Sequence, residues 1–210
     1  MVTADVTVRS EPDYAFDFCG GQLAIDFTNT VGSRGDAPAE HLQTFGDLMA
    51  WAEARGVLTR AGAQRLRREA ARRPGPARSA LADALVVREA LYRVIAAAAA
   101  ARPPSPADLA IVNAHVGKTF SRMHWMDQRS RLELTDDGAL TASMADPIMR
   151  PVIRAAVELL TSDDIARVRR CADDSCAWLF LDTTRNRTRR WCDMKVCGNR
   201  SKVRRFRDTQ

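Results

Sequence analysis

Four cysteines near the C-terminus stand in two pairs with the same internal spacing. Four residues separate Cys171 from Cys176 and Cys192 from Cys197, and fifteen residues lie between the pairs. Two chelating pairs of this kind can close one tetrahedral thiolate site, and four thiolates leave no open position for a substrate. The spacing therefore predicts one structural Zn²⁺ site. An iron–sulfur cluster is the rival interpretation, because four thiolates also suit iron.

The segment that carries these cysteines predicts a small finger. Turn-forming residues follow Cys171, and "AWLFLDTTRNRTRRW" predicts a strand, a turn at Arg185-Asn186 and a second strand. The stretch "GNRSKVRRFRD" predicts a helix with Cys197 near its start, which completes a treble-clef-like arrangement. The finger contains few large apolar groups, and their burial alone cannot offset the conformational entropy lost on folding. We therefore expect a metal ion to hold the finger together. The apolar groups expected in the finger core are Trp178, Leu179, Phe180, Trp191, Val196, Val203 and Phe206.

Positive charge is concentrated in the same segment. Residues 165–210 contain 13 Lys and Arg against 5 Asp and Glu, a net charge of +8, whereas residues 1–164 contain 19 against 21, a net charge of −2. Such asymmetry is typical of a surface that binds a polyanion, although a solvated basic face is the plain alternative. For Asn199 we favour a role in capping the helix or bonding the finger backbone over base readout. The candidate nucleic-acid contacts are Arg185, Arg187, Arg189, Arg190, Lys195, Arg200, Lys202, Arg204, Arg205 and Arg207.

The rest of the chain predicts a mainly α fold with a minor β component. We expect residues 1–164 to form a mostly helical domain and residues 165–210 to form the finger. Hydrophobic periodicity and cap residues predict helices over 45–56, 59–73, 79–101, from Ser105, and from Asp146 to Thr161. The segment around Gly20-Gly21 fits either a hairpin or a strand leading into a helix. A hairpin is also predicted around Asp136-Asp137-Gly138.

Few residues outside the finger have the type and spacing expected of a binding or catalytic site. Asp26, Thr28 and Asn29 interrupt an apolar segment and could hold a polar ligand group, but capping and turning of the chain is the favoured interpretation. Cys19 is interpreted as a small buried hydrophobe. The three histidines, His41, His115 and His124, have no metal-ligand spacing, and we expect them to be ordinary surface or core residues.

The finger segment closely resembles the CGNR zinc finger. The tetrapeptide of that name stands here as Cys197-Gly198-Asn199-Arg200, and "RRWC" and "FLDTTRN" also fit the pattern. Upstream, "GGQLAIDFTNTV", "GDLMAWAEARGVLT" and "ALVVREALYRVI" resemble the ABATE domain that precedes this finger in bacterial proteins described as stress-induced transcription regulators. The resemblance implies that the four cysteines bind zinc and that the basic finger contacts DNA.

Three functions are compatible with these observations. The favoured one is a non-enzymatic regulator that binds double-stranded DNA through the finger and senses a small-molecule or protein effector through the N-terminal domain. An RNA- or ribosome-associated protein is the second, because a basic zinc finger also suits RNA. A small-molecule enzyme around Asp26 and Asn29 is the third, disfavoured because no acid/base pair is recognisable. Without a signal-peptide pattern or a long apolar run, we expect a cytoplasmic protein without membrane contact. The DNA target, the effector and the oligomeric state stay open.

Overall fold

The computed structural model describes residues 14–128, 131–136 and 143–208, and within these ranges the fold is mostly helical with small sheets, as predicted. The helices are α1 Leu23–Thr28, α2 Phe45–Ala54, α3 Arg60–Arg72, α4 Pro74–Ala99, α5 Pro106–Phe120, α6 Asp146–Leu160 and α7 Asn199–Asp208. The strands are β1 Val31–Gly32, β2 Ala39–Glu40, β3 Met123–Gln128, β4 Arg131–Asp136, β5 Val168–Arg170 and β6 Leu179–Leu181. They pair as three antiparallel two-stranded sheets, β1–β2, β3–β4 and β5–β6.

The glycine pair near the N-terminus forms a turn that leads into α1. Gly21 has φ +77°, a conformation that suits glycine, and no strand precedes it among residues 14–20. The side chain of Gln22 then caps α1 by accepting from the amides of Ala24 and Ile25. Of the two alternatives, the helix after the glycines is correct, whereas the strand before them is not.

The next two helices follow their predicted boundaries. Thr44 and Asp47 form a reciprocal capping box at the start of α2, and Gly56 turns the chain after its end with φ +77°. Thr59 caps α3 by accepting from the amide of Gly62. Both boundaries were readable because local capping chemistry sets them.

The long helix α4 begins five residues before its predicted start. Pro74 lies in its first turn, where the missing amide hydrogen costs nothing, so the "RRPGPA" segment opens the helix instead of breaking the chain. The apolar face of the helix is buried at Leu81, Leu91 and Ile95. Val86 is the exception, since it is 54% exposed.

The predicted hairpin turn at Asp136-Asp137-Gly138 stays a prediction, because residues 137 and 138 lie outside the described residues. Residues 131–136 form β4, which pairs antiparallel with the preceding strand β3, so that Met123 lies opposite Asp136. Asp136 is therefore the last residue of a strand, and the segment after it, 137–142, lies outside the described residues. Helices α5 and α6 start as predicted at Pro106 and Asp146.

The finger hairpin also differs from the prediction. The turn at Arg185-Asn186 is present, but residues 187–190 form no strand after it. Instead β6 pairs with β5, which lies before the first cysteine pair, with Val168 opposite Leu181. The first cysteine pair thus lies in the connection between two strands. The second pair leads through a π-helical turn, Met194–Gly198, into α7.

The finger and the helical part share one hydrophobic core. Val168, Leu179 and Leu181 belong to the same buried cluster as the large core residues Trp51 and Ile95. Helix α4 lies at its centre and packs against the five other N-terminal helices. A second cluster contains the four paired cysteines with Trp178 and Phe180. In the described ranges, no helix has the length and apolarity that crossing a bilayer requires.

Candidate metal centre and the basic surface around it

The four paired cysteines converge on one point. All four thiols are buried and their sulfur atoms lie within 4.8 Å of one another. The Sγ atoms of Cys176 and Cys192 are 3.5 Å apart, and those of Cys192 and Cys197 are 3.6 Å apart. Sulfur atoms bound at about 2.3 Å to a tetrahedral Zn²⁺ would be about 3.8 Å apart, so the cluster has the size that zinc requires. The residues fit one structural zinc ion, as the spacing predicted.

Two turns bring the cysteines together. In the first, the Asp173 carboxylate accepts from the amide and the hydroxyl of Ser175, while the Asp173 carbonyl accepts from the amide of Cys176 at 2.9 Å. In the second, the Asp193 carboxylate accepts from the amide of Val196 at 3.0 Å, and the Asp193 carbonyl accepts from the amide of Cys197 at 3.0 Å. Each turn is an aspartate-capped loop that points its cysteines inward.

Hydrogen-bond donors reach two of the sulfur atoms. The amide of Cys192 donates to the Cys171 sulfur at 3.5 Å, and the Arg200 guanidinium donates to the Cys197 sulfur at 3.3 Å. Hydrogen bonds from the Cys176 and Cys192 thiols lower the pKa of Cys171, and the bonds to Cys171 raise the pKa of Cys176 and of Cys192. Burial raises the pKa of Cys197. In a buried cluster without a cation, the four thiols therefore cannot all ionise, because one thiolate is stabilised by neighbouring thiols that keep their protons. A divalent cation removes that restriction and lets all four ionise.

The last three residues of the CGNR tetrapeptide have structural contacts. A Cβ atom at Gly198 would meet the Met194 thioether, so a larger residue there would require the Met194 side chain to move. The Asn199 amide donates to the Lys195 carbonyl at 2.9 Å, which confirms the predicted bond to the finger backbone. Arg200 joins the two turns, because its Nε donates to the Asp173 carboxylate at 2.5 Å and its Nη2 to the Cys197 sulfur.

Some of the predicted nucleic-acid contacts are engaged within the protein. Arg189 donates to the carbonyls of Cys19, Trp191 and Cys192, and its guanidinium stacks over the Phe180 ring at 4.4 Å. Arg204 lies 3.7 Å from the Asp173 carboxylate, and Arg190 lies over the Trp191 ring. Nucleic-acid binding by these residues stays a prediction. The other candidates, all exposed, are Arg185, Arg187, Lys195, Lys202, Arg205 and Arg207.

The predicted finger core is only partly correct. Trp178, Leu179 and Phe180 are buried as expected, and Trp191 is half-buried. The apolar residues of the second turn and of α7 are exposed instead, because α7 extends from the cysteine cluster and packs mainly against the turn that precedes it. Their exposed fractions are 57% for Val196, 51% for Val203 and 65% for Phe206.

The three polar residues of α1 and its end have partners inside the chain. Asp26 accepts from the Gly20 amide at 3.0 Å and from Arg55 Nε at 2.7 Å, and the Thr28 hydroxyl donates to the Ile25 carbonyl. Asn29 bonds both backbone groups of Leu179 in β6. Burial raises the pKa of Asp26 to about 6, although Arg55 acts in the opposite direction. These contacts agree with the favoured structural interpretation, and ligand binding by the three residues stays a prediction.

The remaining candidates have ordinary surroundings. Cys19 is half-buried and packs against the cysteine cluster. His41 stacks on Tyr14 with ring centroids 3.6 Å apart, and burial lowers the pKa of His41 and of His115. His124 is exposed on β3. None of the three histidines belongs to a metal-binding group within the described part of the chain.

Sequence reasoning missed the residues that attach the finger to the helices. The indole of Trp178 donates to the Val31 carbonyl at 2.6 Å, and the Tyr92 hydroxyl donates to the Ala177 carbonyl at 2.7 Å. The Gly35 amide donates to the Ser175 carbonyl at 3.2 Å. These partners are far apart in sequence, so no local pattern could have indicated the pairs.

Comparison with protein-family models agrees with this architecture. Residues 21–163 match ABATE, described as "Putative stress-induced transcription regulator", and residues 167–210 match the CGNR zinc finger. Because the first match covers more than half of the chain, the protein belongs to the ABATE family and carries a C-terminal CGNR zinc finger. A search of curated proteins found no match.

Proposed function

We propose that the protein is a transcription regulator that binds double-stranded DNA through the finger. One observation carries the proposal: the Arg185-Asn186 turn and α7, which precede and follow the second pair of the four-cysteine cluster, both carry exposed cations. A fixed set of guanidinium and ammonium groups can meet the phosphates of a duplex at several points at once. The family description, a stress-induced transcription regulator, supports the same function.

In this proposal the two parts of the chain have different roles. Residues 165–210 contact DNA, and residues 1–164 sense a small-molecule or protein effector. Cytoplasmic location is part of this proposal, because thiolate zinc sites suit a reducing compartment. The chemistry of zinc here is structural: the ion holds the two turns together, and the four thiolates leave it no position for a substrate.

The salt dependence of binding tests the DNA contact. In the triple variant Arg185→Gln, Lys202→Gln and Arg207→Gln, the slope of log affinity against log salt should fall by up to about three units if each cation contacts one phosphate. The measurement is fluorescence anisotropy with a random duplex between about 50 and 200 mM salt.

A charge-matched variant controls for the loss of net charge. Arg60→Gln, Arg65→Gln and Arg72→Gln together remove three exposed arginines from α3, outside the finger. This variant should keep the slope of the parent protein. Equal slopes in all three proteins would show that the finger cations are only a solvated face.

An RNA-binding protein is the second candidate, since exposed cations around a zinc finger also suit RNA. The same titrations with a structured RNA of equal length separate the two functions. Tighter binding to the RNA than to every duplex tested would replace the proposal. Crosslinking of the tagged protein to DNA across the genome would then identify its targets if the duplex is preferred.

A further inference from the structure

A cavity of about 740 Å³ lies where the helical part meets the finger. It is bordered by the C-terminal end of α4, the segment from Arg102 to Asp108 that leads into α5, and strand β5. The volume is in the range of small-molecule sites. None of the residues Asp26, Thr28 and Asn29 lines it, so it is distinct from the ligand site that the sequence suggested.

The floor of the cavity is apolar and made largely of small side chains. Ala96, Ala97, Ala99 and Ala100 line it from α4, and Pro103 follows them. Ala96 and Ala99 also pack against the main core, whereas Ala97 lines the cavity and is not part of that packing. The methyl groups leave open a space that larger residues would fill.

The rim of the cavity is positively charged. Arg93, Arg102, Arg169 and Arg170 line it against a single carboxylate, Asp108, which gives the lining four positive charges and one negative charge. Three hydrogen bonds join Asp108 to Arg93, and the shortest is 2.6 Å. The one acidic group is therefore already neutralised by a partner.

Two of these arginines have no partner for their charge within the described ranges. The structure shows no ion pair for Arg102 or Arg170 there, whereas Arg169 donates back to the carbonyls of Ala166 and Val168. Ser105, at the N-terminal end of α5, also lines the cavity, and its side chain makes no capping hydrogen bond. The lining therefore offers an anionic head group two guanidinium groups without an ion-pair partner and a serine hydroxyl.

The cavity adjoins the metal centre through two elements. Strand β5 ends at Arg170, directly before Cys171. Tyr92 lines the cavity, and its hydroxyl holds the carbonyl of Ala177, the residue after Cys176. A molecule in the cavity would therefore touch the residues that connect the helices to the first cysteine pair.

We propose that this cavity binds a small organic anion with an apolar body, namely a carboxylate whose aliphatic chain lies on the α4 alanines while Arg102 and Arg170 hold its head group. This inference deepens the sensor role in the proposed function and rests on it for its regulatory meaning. A neutral polar molecule would leave the two charges unpaired, and a large anion without an apolar body would leave the alanine floor exposed to water.

The test is calorimetric titration of the full-length, zinc-loaded protein with straight-chain carboxylates of six to twelve carbons, below their micelle-forming concentrations. Alcohols of equal chain length serve as neutral probes. We expect saturable binding of at least one carboxylate, with the matching alcohol binding about tenfold more weakly or not at all, because it lacks the charged hydrogen bonds.

Five variants, three in the cavity lining and two controls outside it, locate the binding. Arg102→Gln and Arg170→Gln should each weaken binding about tenfold, and Ala97→Phe should abolish it by filling the floor. Arg78→Gln removes an exposed arginine outside the cavity lining, and Ala98→Phe enlarges a neighbouring alanine that does not line the cavity, so both should bind like the parent protein. Zinc content is measured for each variant, because Arg170 adjoins a zinc ligand.

Three results would overturn the inference: no carboxylate binds, the alcohols bind equally well, or the lining variants bind like the parent. If no carboxylate binds and Arg102→Gln lowers the affinity for DNA, the arginines that line the cavity belong to the DNA-binding surface instead. The titration contains no nucleic acid, so a failed DNA experiment and a failed ligand experiment are separate results.

Discussion

Asn29 pairs with Leu179 in the way that one β-strand residue pairs with another. Its side-chain amide donates to the Leu179 carbonyl at 2.8 Å, and its side-chain oxygen accepts from the Leu179 amide at 3.1 Å, across 150 residues of sequence. The pair is buried, and Leu179 lies three residues after Cys176. One side chain thus satisfies both backbone groups of a finger strand and ties the finger to the end of α1.

The first prediction concerns this pair. Asn29→Ala would leave the buried amide and carbonyl of Leu179 without partners, so we expect the free energy of unfolding to fall by about 2 to 4 kcal/mol. Chemical denaturation of the zinc-loaded protein measures it. Asn113→Ala, an exposed position on α5, is the control and should change stability little. If the two variants were equally stable, the pair would contribute nothing measurable.

The second prediction concerns Gly35. A Cβ atom at this position would lie 1.6 Å from the backbone oxygen of Asp174, in the first cysteine turn. Gly35→Ala should therefore force the finger away from the helices and lower the free energy of unfolding by about 1 to 3 kcal/mol. Thermal unfolding and limited proteolysis of the finger provide the measurements.

Gly117→Ala is the matched control for Gly35. Gly117 lies in α5, and a Cβ atom there would meet nothing within 4 Å. Because alanine has the higher helix propensity, this variant should gain up to about 1 kcal/mol. Equal effects of the two substitutions, in either direction, would contradict the close approach at Gly35.

The third prediction is that each chain holds one zinc ion and that Cys176→Ser removes it. The variant should lose zinc and order in the finger while keeping most of its helix content, since α2 to α6 have their own buried contacts. Elemental analysis and far-UV circular dichroism measure these. Cys19→Ser, which alters a thiol outside the group of four, should keep its zinc. Iron with visible absorption, or no metal, would refute the prediction.

The fourth prediction concerns pH. Burial raises the pKa of Asp26 from 3.8 to about 6 in the folded chain, so the folded state binds this proton more tightly than the unfolded state. The contribution of Asp26 to the free energy of unfolding should therefore decrease as the pH rises through this window, by about 3 kcal/mol at most. Below the window the carboxyl is protonated in both states, and its contribution is fully present.

The measurement for Asp26 is a difference between two proteins. Glu40 and Glu89 have lowered pKa values because Arg88 and Arg34 donate to them, so they stabilise the fold as the pH rises. Subtracting the stability of Asp26→Asn from that of the parent at each pH removes these contributions. The difference should fall between pH 4 and 6, and a flat or rising difference would show that the Arg55 ion pair outweighs burial.

Features that depend on neighbours in sequence could be read from the sequence alone. The capping residues Thr44 and Thr59 set the starts of α2 and α3, and the spacing of the cysteines indicated a four-thiolate metal site. Asn199 bonds the backbone four residues earlier, so its structural role was also predictable. In the first and last cases the interacting groups lie within a few residues of each other. In the case of the cysteines, one metal ion requires all four thiolates as ligands.

Only the tertiary structure decided which residues meet across long separations. The partner of Asn29 is in β6, and the partner strand of β6 precedes the cysteines. Val196, Val203 and Phe206 are exposed because, within the described ranges, α7 packs mainly against the turn that precedes it. Arg189 and Arg204 looked like free cations in the sequence, yet both contact groups within the protein. The physical reason is that a residue type shows what a side chain can bond, whereas its actual partner depends on the packing of the whole chain.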